Sequence, residues 1–421
     1  MTYRKTIFDN GTRIITESLS HAKSISLGIW VNAGSRDEVD HKMGIFHLIE
    51  HMIFKGTKER SASQIAKDLD KIGGFSNAFT SKEQTCFYAR ILDKDLKFLA
   101  DLFSDIFINS LFTEEDVELE KSVVLQEISM MEDTPDEHIQ VLFDQSFWGH
   151  DPLGSSILGT KETVGKFTRN DILDYVTRFY SPDRVVIAAS GCVDHDFLVP
   201  YFKPFFECLP APNNNNPPTR SIPLITPNIS CHTKKLEQVH LCLGVRASSL
   251  SGEERFAETV FNTILGGNMS SRLFQEIREK RGLAYSLYSY ISSFMDTGVI
   301  KIYVATDKEK VNSVLELVGM LIKGFQNRDF SESDLIRAKE YLVGGILLNT
   351  ENMGSLMMRL ARNEFIFGKY INYKEIIKKL EGVTLDEVID ASKRMFSPDN
   401  VSLTVLGPVD EDKIDVSTLK F

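Results

Sequence analysis

Tyr180-Ser-Pro-Asp-Arg-Val-Val-Ile-Ala-Ala-Ser-Gly-Cys-Val-Asp194 is answered 216 residues later by Phe396-Ser-Pro-Asp-Asn-Val-Ser-Leu-Thr-Val-Leu-Gly-Pro-Val-Asp410. In both copies a Ser-Pro-Asp turn leads into a run of β-branched and small apolar residues that stops at a glycine. That is the pattern of a buried strand bounded by turns. The correspondence extends outward. An acidic helix start precedes each copy, Thr168-Arg-Asn-Asp-Ile172 and Thr384-Leu-Asp-Glu-Val388. Ile25-Ser-Leu-Gly-Ile29 falls on Leu241-Cys-Leu-Gly-Val245 at the same shift of 216, and Phe112-Thr-Glu-Glu-Asp-Val117 falls on Phe330-Ser-Glu-Ser-Asp-Leu335 at a shift of 218. Ordered matches at nearly one offset mark a duplicated domain of roughly 210 residues per copy.

The expected architecture is α+β, with two homologous domains, each a mixed or antiparallel sheet with helices packed on one face. Alternating strands open each half, and amphipathic helices such as 61–72, 114–131 and 331–349 follow. Residues 1–210 form the first expected domain and 229–421 the second. A linker spans 211–228, opening with Ala211-Pro-Asn-Asn-Asn-Asn-Pro-Pro-Thr219, which has no apolar periodicity.

Composition narrows the function. With 42% hydrophobic and 25% charged residues the chain reads as an ordinary folded protein. No apolar run approaches the roughly 20 residues of a membrane span. The start, Met1-Thr2-Tyr3-Arg4-Lys5-Thr6, shows neither a signal core nor an amphipathic presequence, so a cytoplasmic location is expected. A net charge of −11 disfavours nucleic acid as the main partner and gives weak support for basic peptides. Cys86, Cys192, Cys208, Cys231 and Cys242 include no Cys-x-x-Cys pair and read as free thiols.

The chemistry concentrates in Gly44-Ile-Phe-His-Leu-Ile-Glu-His-Met-Ile-Phe-Lys-Gly-Thr57. On a helix, His47 and His51 project from one face a turn apart and can share an ion. Glu50, offset on that face, suits a carboxylate that contacts metal-bound water rather than the metal, as a general base. This is the His-x-x-Glu-His order of inverzincins. Three fixed positions of this composition recur by chance in about one such chain per hundred. A third protein ligand has to come from elsewhere. The stretch Glu114–Ile128 offers Glu120 and Glu127, two turns apart on one face; a solvated charge stripe is the commoner meaning of such a pair.

With Glu127 placed 76 residues after His51, the chain resembles the pitrilysin-type (M16) metallopeptidases, in particular their short processing-peptidase branch. The resemblance covers essentially the whole chain. It implies a zinc endopeptidase, with one zinc per chain held by His47, His51 and Glu127, Glu50 as base, and Glu120 orienting a ligating histidine. It implies that the stretch from Gly73-Gly-Phe-Ser-Asn-Ala-Phe-Thr80 forms a sheet edge that a substrate peptide joins, beside Asn77 and Ala78. In the second copy the metal motif is missing, since His47, Glu50 and His51 fall on Thr263, Gly266 and Gly267, and Glu127 falls on Gly345. Arg278 and Tyr285, seven apart, match the family's substrate-binding and oxyanion-stabilising pair. Read without the family, Arg278 is simply the basic end of a helix. The family also implies a homodimer enclosing its peptide substrates in a chamber. Phe46 departs from the smaller residue usual before the first histidine. Two alternatives stay open, a non-catalytic structural subunit and a chamber that holds peptides without cutting them.

Overall fold

The computed structural model describes residues 2–210, 220–397 and 400–419. The expected linker's opening stretch, 211–219, lies outside them. The chain forms two compact units of α+β structure, each built on one mixed sheet with packed helices.

The first unit comprises Met1–Met130, Ser155–Arg220 and Leu348–Tyr370. Its strands are β1 (Thr2–Ile7), β2 (Arg13–Ser18), β3 (Ser24–Val31), β4 (Phe75–Thr80), β5 (Thr85–Leu92) and β6 (Val185–Gly191). They lie in the order β1-β2-β6-β3-β5-β4, with only β2 and β6 parallel. The second unit comprises Met131–Gly154, Ser221–Leu347 and Ile371–Phe421. It holds β7 (Ile229–Thr233), β8 (Val239–Ala247), β9 (Ala284–Ser293), β10 (Gly298–Thr306) and β11 (Ser402–Gly407) in the order β7-β11-β8-β10-β9. The strands that follow the two Ser-Pro-Asp runs in sequence are β6 and β11, and each strand lies antiparallel to the matching central strand, β3 or β8. Thr168 and Thr384 are N-caps whose hydroxyls accept the backbone N–H of Asp171 and Glu387.

Alternation along β3 sorts its side chains. Ile25, Leu27, Ile29 and Val31 join the main helical layer with Leu99, Phe103 and Ile106 of the helix Leu96–Asn109. Trp30 points the other way and, with Cys86, Val186 and Ala188, packs against Met357, Leu360 and Ala361 of the helix Met353–Phe367. That covering helix comes from the C-terminal half of the chain. The second unit mirrors the arrangement. Cys242, Val299, Tyr303 and Ala305 pack against Ile139, Phe143, Phe147 and Trp148 of Pro135–Trp148, a helix from the N-terminal half. Each half thus lends one helix to the other unit's sheet.

The repeated glycine of the two central strands has its reason here. A Cβ on Gly28 would lie 2.8 Å from the Met357 sulfur, and one on Gly244 would lie 2.4 Å from a Phe143 ring carbon. Glycine lets each exchanged helix sit close on its strand. Each helix is further tied by a partly buried ion pair, Arg359 to Glu17 at 2.8 Å and Asp144 to Lys301 at 2.6 Å. All five cysteines are free. No helix among the described residues is long and apolar enough to cross a membrane.

Candidate metal centre

The helix Ile45–Met52 sends Ile45, Phe46, Leu48, Ile49 and Met52 into the core, which leaves His47, Glu50 and His51 on its remaining face. Phe46 packs behind that face, edge-on to Tyr175 and Phe179 with centroids 5.5 and 5.1 Å away. The helix begins at Gly44, whose φ of +94° suits glycine. Its first N–H groups would be orphaned in the core. Buried Glu38 receives them instead, accepting from the Gly44 N–H at 2.8 Å and the Phe46 N–H at 2.9 Å.

Burial pushes the Glu38 carboxyl up to about 8, against the downward pull of those two N–H groups. The folded chain therefore holds this proton more tightly than the unfolded chain, whose value is near 4.5. The resulting stabilisation is complete below about pH 4.5 and is lost as pH rises towards 8. Glu38→Gln, uncharged throughout, is expected to flatten the decline in stability across this window. Denaturant unfolding of the metal-free chain at about pH 5 and pH 8 checks it; equal declines in the variant and the wild type would count against a Glu38 origin.

The helix Glu114–Asp133 runs alongside the metal helix. Glu127 points one carboxylate oxygen at both histidines, 3.6 Å from His47 Nε2 and 3.7 Å from His51 Nε2. The imidazoles stand 4.6 Å apart, and all three donor atoms lie within 4.8 Å of one another. Among the described residues this is the one cluster of three or more His, Cys, Asp or Glu donors spaced for a single ion. The spacing is too long for hydrogen bonds. Burial, then the neighbouring His51, lowers the His47 pKa to about 4, so its ring is neutral at ordinary pH and forms no ion pair with Glu127. Donors about 2.0–2.2 Å from a tetrahedral zinc stand roughly 3.3–3.6 Å apart. The residues present fit such an ion.

Glu120 is buried on the same helix and accepts from His51 Nδ1 at 3.1 Å, while its other oxygen meets Lys55 Nζ at 2.5 Å. With Nδ1 occupied, the lone pair of His51 Nε2 is left facing Glu127. Glu50 lies outside the donor trio. Burial raises its pKa, and the Thr80 hydroxyl, donating at 2.6 Å, pulls the other way. Thr80 ends β4, the edge strand, so the sheet edge and the metal helix meet at this bond. Exposed Asn77 and half-buried Ala78 lie on that strand, where the Asn77 side chain accepts the Ala78 N–H at 2.9 Å.

Arg278 and Tyr285 belong to the second unit. Arg278 lies in the π-helical turn Phe274–Glu279, its guanidinium stacked 4.5 Å over the ring of Tyr285, which is the second residue of β9 and is 77% exposed. Reasoning from sequence missed Glu38, Lys55 and the Thr80 hydroxyl. Lys55 at i+4 from His51 carried a readable signal, while the other two depend on loop and sheet geometry.

The family model described as Insulinase (Peptidase family M16) matches residues 13–161, and the one described as Peptidase M16 inactive domain matches residues 166–342. A protein of Mycobacterium leprae called an uncharacterized zinc protease is 38% identical over 96% of this chain and 91% of its own length. One of Bacillus subtilis, similarly named, is 37% identical over 95% of this chain and 97% of its own length. Among solved structures, a protease from Helicobacter pylori superposes with a TM-score of 0.91 at 20% identity, over 97% of this chain and 99% of that one, and shares the fold. On these similarities the chain belongs to peptidase family M16.

Proposed function

We propose that this chain is a zinc-dependent endopeptidase acting on peptides or unfolded segments. The observation that carries the reading is the convergence of His47, His51 and Glu127 on one point, with the Glu50 carboxylate beside it yet outside the donor set. Zinc held by those three residues would supply Lewis acidity and make a coordinated water acidic near neutral pH. Glu50, raised by burial, is suited to take a proton on its carboxylate and return it to the leaving amine. Thr80 holds that carboxylate, and the edge of β4 offers unpaired backbone groups to an extended peptide beside Asn77 and Ala78. We assign Arg278 to a substrate carbonyl or carboxylate and the Tyr285 phenol to the developing oxyanion. The active form proposed is a homodimer enclosing its substrate, in the cytoplasm.

A mass-spectrometric cleavage map on a mixed peptide library tests the reading. The expected result is new termini at internal bonds, suppressed by a zinc chelator and restored by zinc. An unaltered library at full zinc occupancy would overturn it in favour of a non-catalytic chain.

A further inference from the structure

Lys55 stands just past the metal helix, in a turn closed by its own N–H bonding to Met52 O at 3.1 Å. Its ammonium meets Glu120 Oε1 at 2.5 Å, and Glu120 Oε2 faces His51 Nδ1 at 3.1 Å. The Glu120 side chain is only 4% exposed, so its charge needs a partner inside the protein. His51 Nδ1 contributes one hydrogen bond; Lys55 contributes the countercharge. Holding one oxygen from outside fixes the rotation of the carboxylate, which sets where the second oxygen meets the imidazole. The turn bearing Lys55 is itself anchored, since the Thr57 hydroxyl donates to Asp105 at 2.7 Å.

The duplication supplies an independent comparison. At the shifts that align the two halves, Lys55 falls on Ser271 and Glu120 on Ala338, as His51 falls on Gly267 and Glu127 on Gly345. The copy without metal donors lacks the lysine and its carboxylate as well. Lys55 goes with the metal site rather than with the fold.

We propose that Lys55 is a positioning residue of the metal centre, holding Glu120 so that His51 presents Nε2 to the ion. This rests on the zinc reading above. Such outer groups typically tune metal affinity 10–100-fold. Competition with a chromophoric chelator measures zinc affinity without reference to catalysis. Lys55→Met is expected to weaken zinc about tenfold and to lower the unfolding temperature of the metal-free chain, because Glu120 loses its countercharge, and Lys55→Arg to recover most of both losses. In a Glu120→Gln background, Lys55→Met should add less than about twofold, because the two act through one another. If Lys55→Met does not fold, Lys55→Gln is held to the same thresholds. Wild-type zinc affinity in the Lys55 variant, or an undiminished tenfold loss on top of Glu120→Gln, would overturn the proposal. A chain that binds zinc, cuts no peptide and still shows the Lys55→Met deficit would defeat the peptidase reading while supporting this one.

Discussion

Glu50→Gln is expected to lower peptide hydrolysis by roughly 10²–10⁴-fold while leaving zinc affinity within a few-fold of wild type. The contrast follows from where Glu50 sits. It is one residue from His51, yet the donor atoms that converge are those of His47, His51 and Glu127. Its carboxylate is held by the Thr80 hydroxyl at 2.6 Å, a bond the amide oxygen of Gln can also accept. Shape and packing therefore survive the change, and what is lost is a group able to take and return a proton. A quenched fluorescent peptide reports the rate and chelator competition reports the metal. A variant keeping more than about a tenth of the wild-type rate would remove Glu50 from the proton-transfer role.

Glu127→Gln is expected to do the opposite, abolishing metal binding first and activity with it. The carboxylate oxygen lies 3.6 and 3.7 Å from the two imidazole nitrogens and contributes the donor trio's one formal negative charge. Replacing it by a neutral amide should weaken zinc by more than the 10–100-fold typical of groups outside the ligand set. The metal-free fold should barely respond, because the side chain is 37% exposed on a long helix. Zinc titration alongside thermal unfolding without metal separates the two effects. Zinc affinity within tenfold of wild type would show that Glu127 is no ligand.

Much of the fold can be read in the sequence, for particular reasons. The two strand sequences that follow the Ser-Pro-Asp runs repeat because β6 and β11 hold the same place in two sheets. His47 and His51 could be paired because helical spacing alone puts them on one face. Glu127 needed the family resemblance, since spacing does not say which helix lies alongside. The exchanged helices were invisible for the same reason. The Met-rich stretch Met353–Met358 packs as core, with Met353 and Met357 buried. Its periodicity gives a face but not the sheet it covers, which belongs to the other half. The repeated Gly28 and Gly244 were a trace of that close packing, recognisable only once the helix was seen above them. Glu38 could not be found by pattern, because it caps its helix from a loop six residues before Gly44.

The most direct test of the account is the hydrolysis rate of a quenched peptide as zinc is returned stepwise to the metal-free chain. A zinc peptidase of this design gives a rate that climbs in proportion to occupancy and levels off at one zinc per chain. A rate that is already maximal without zinc, or absent when one zinc per chain is bound, would contradict it.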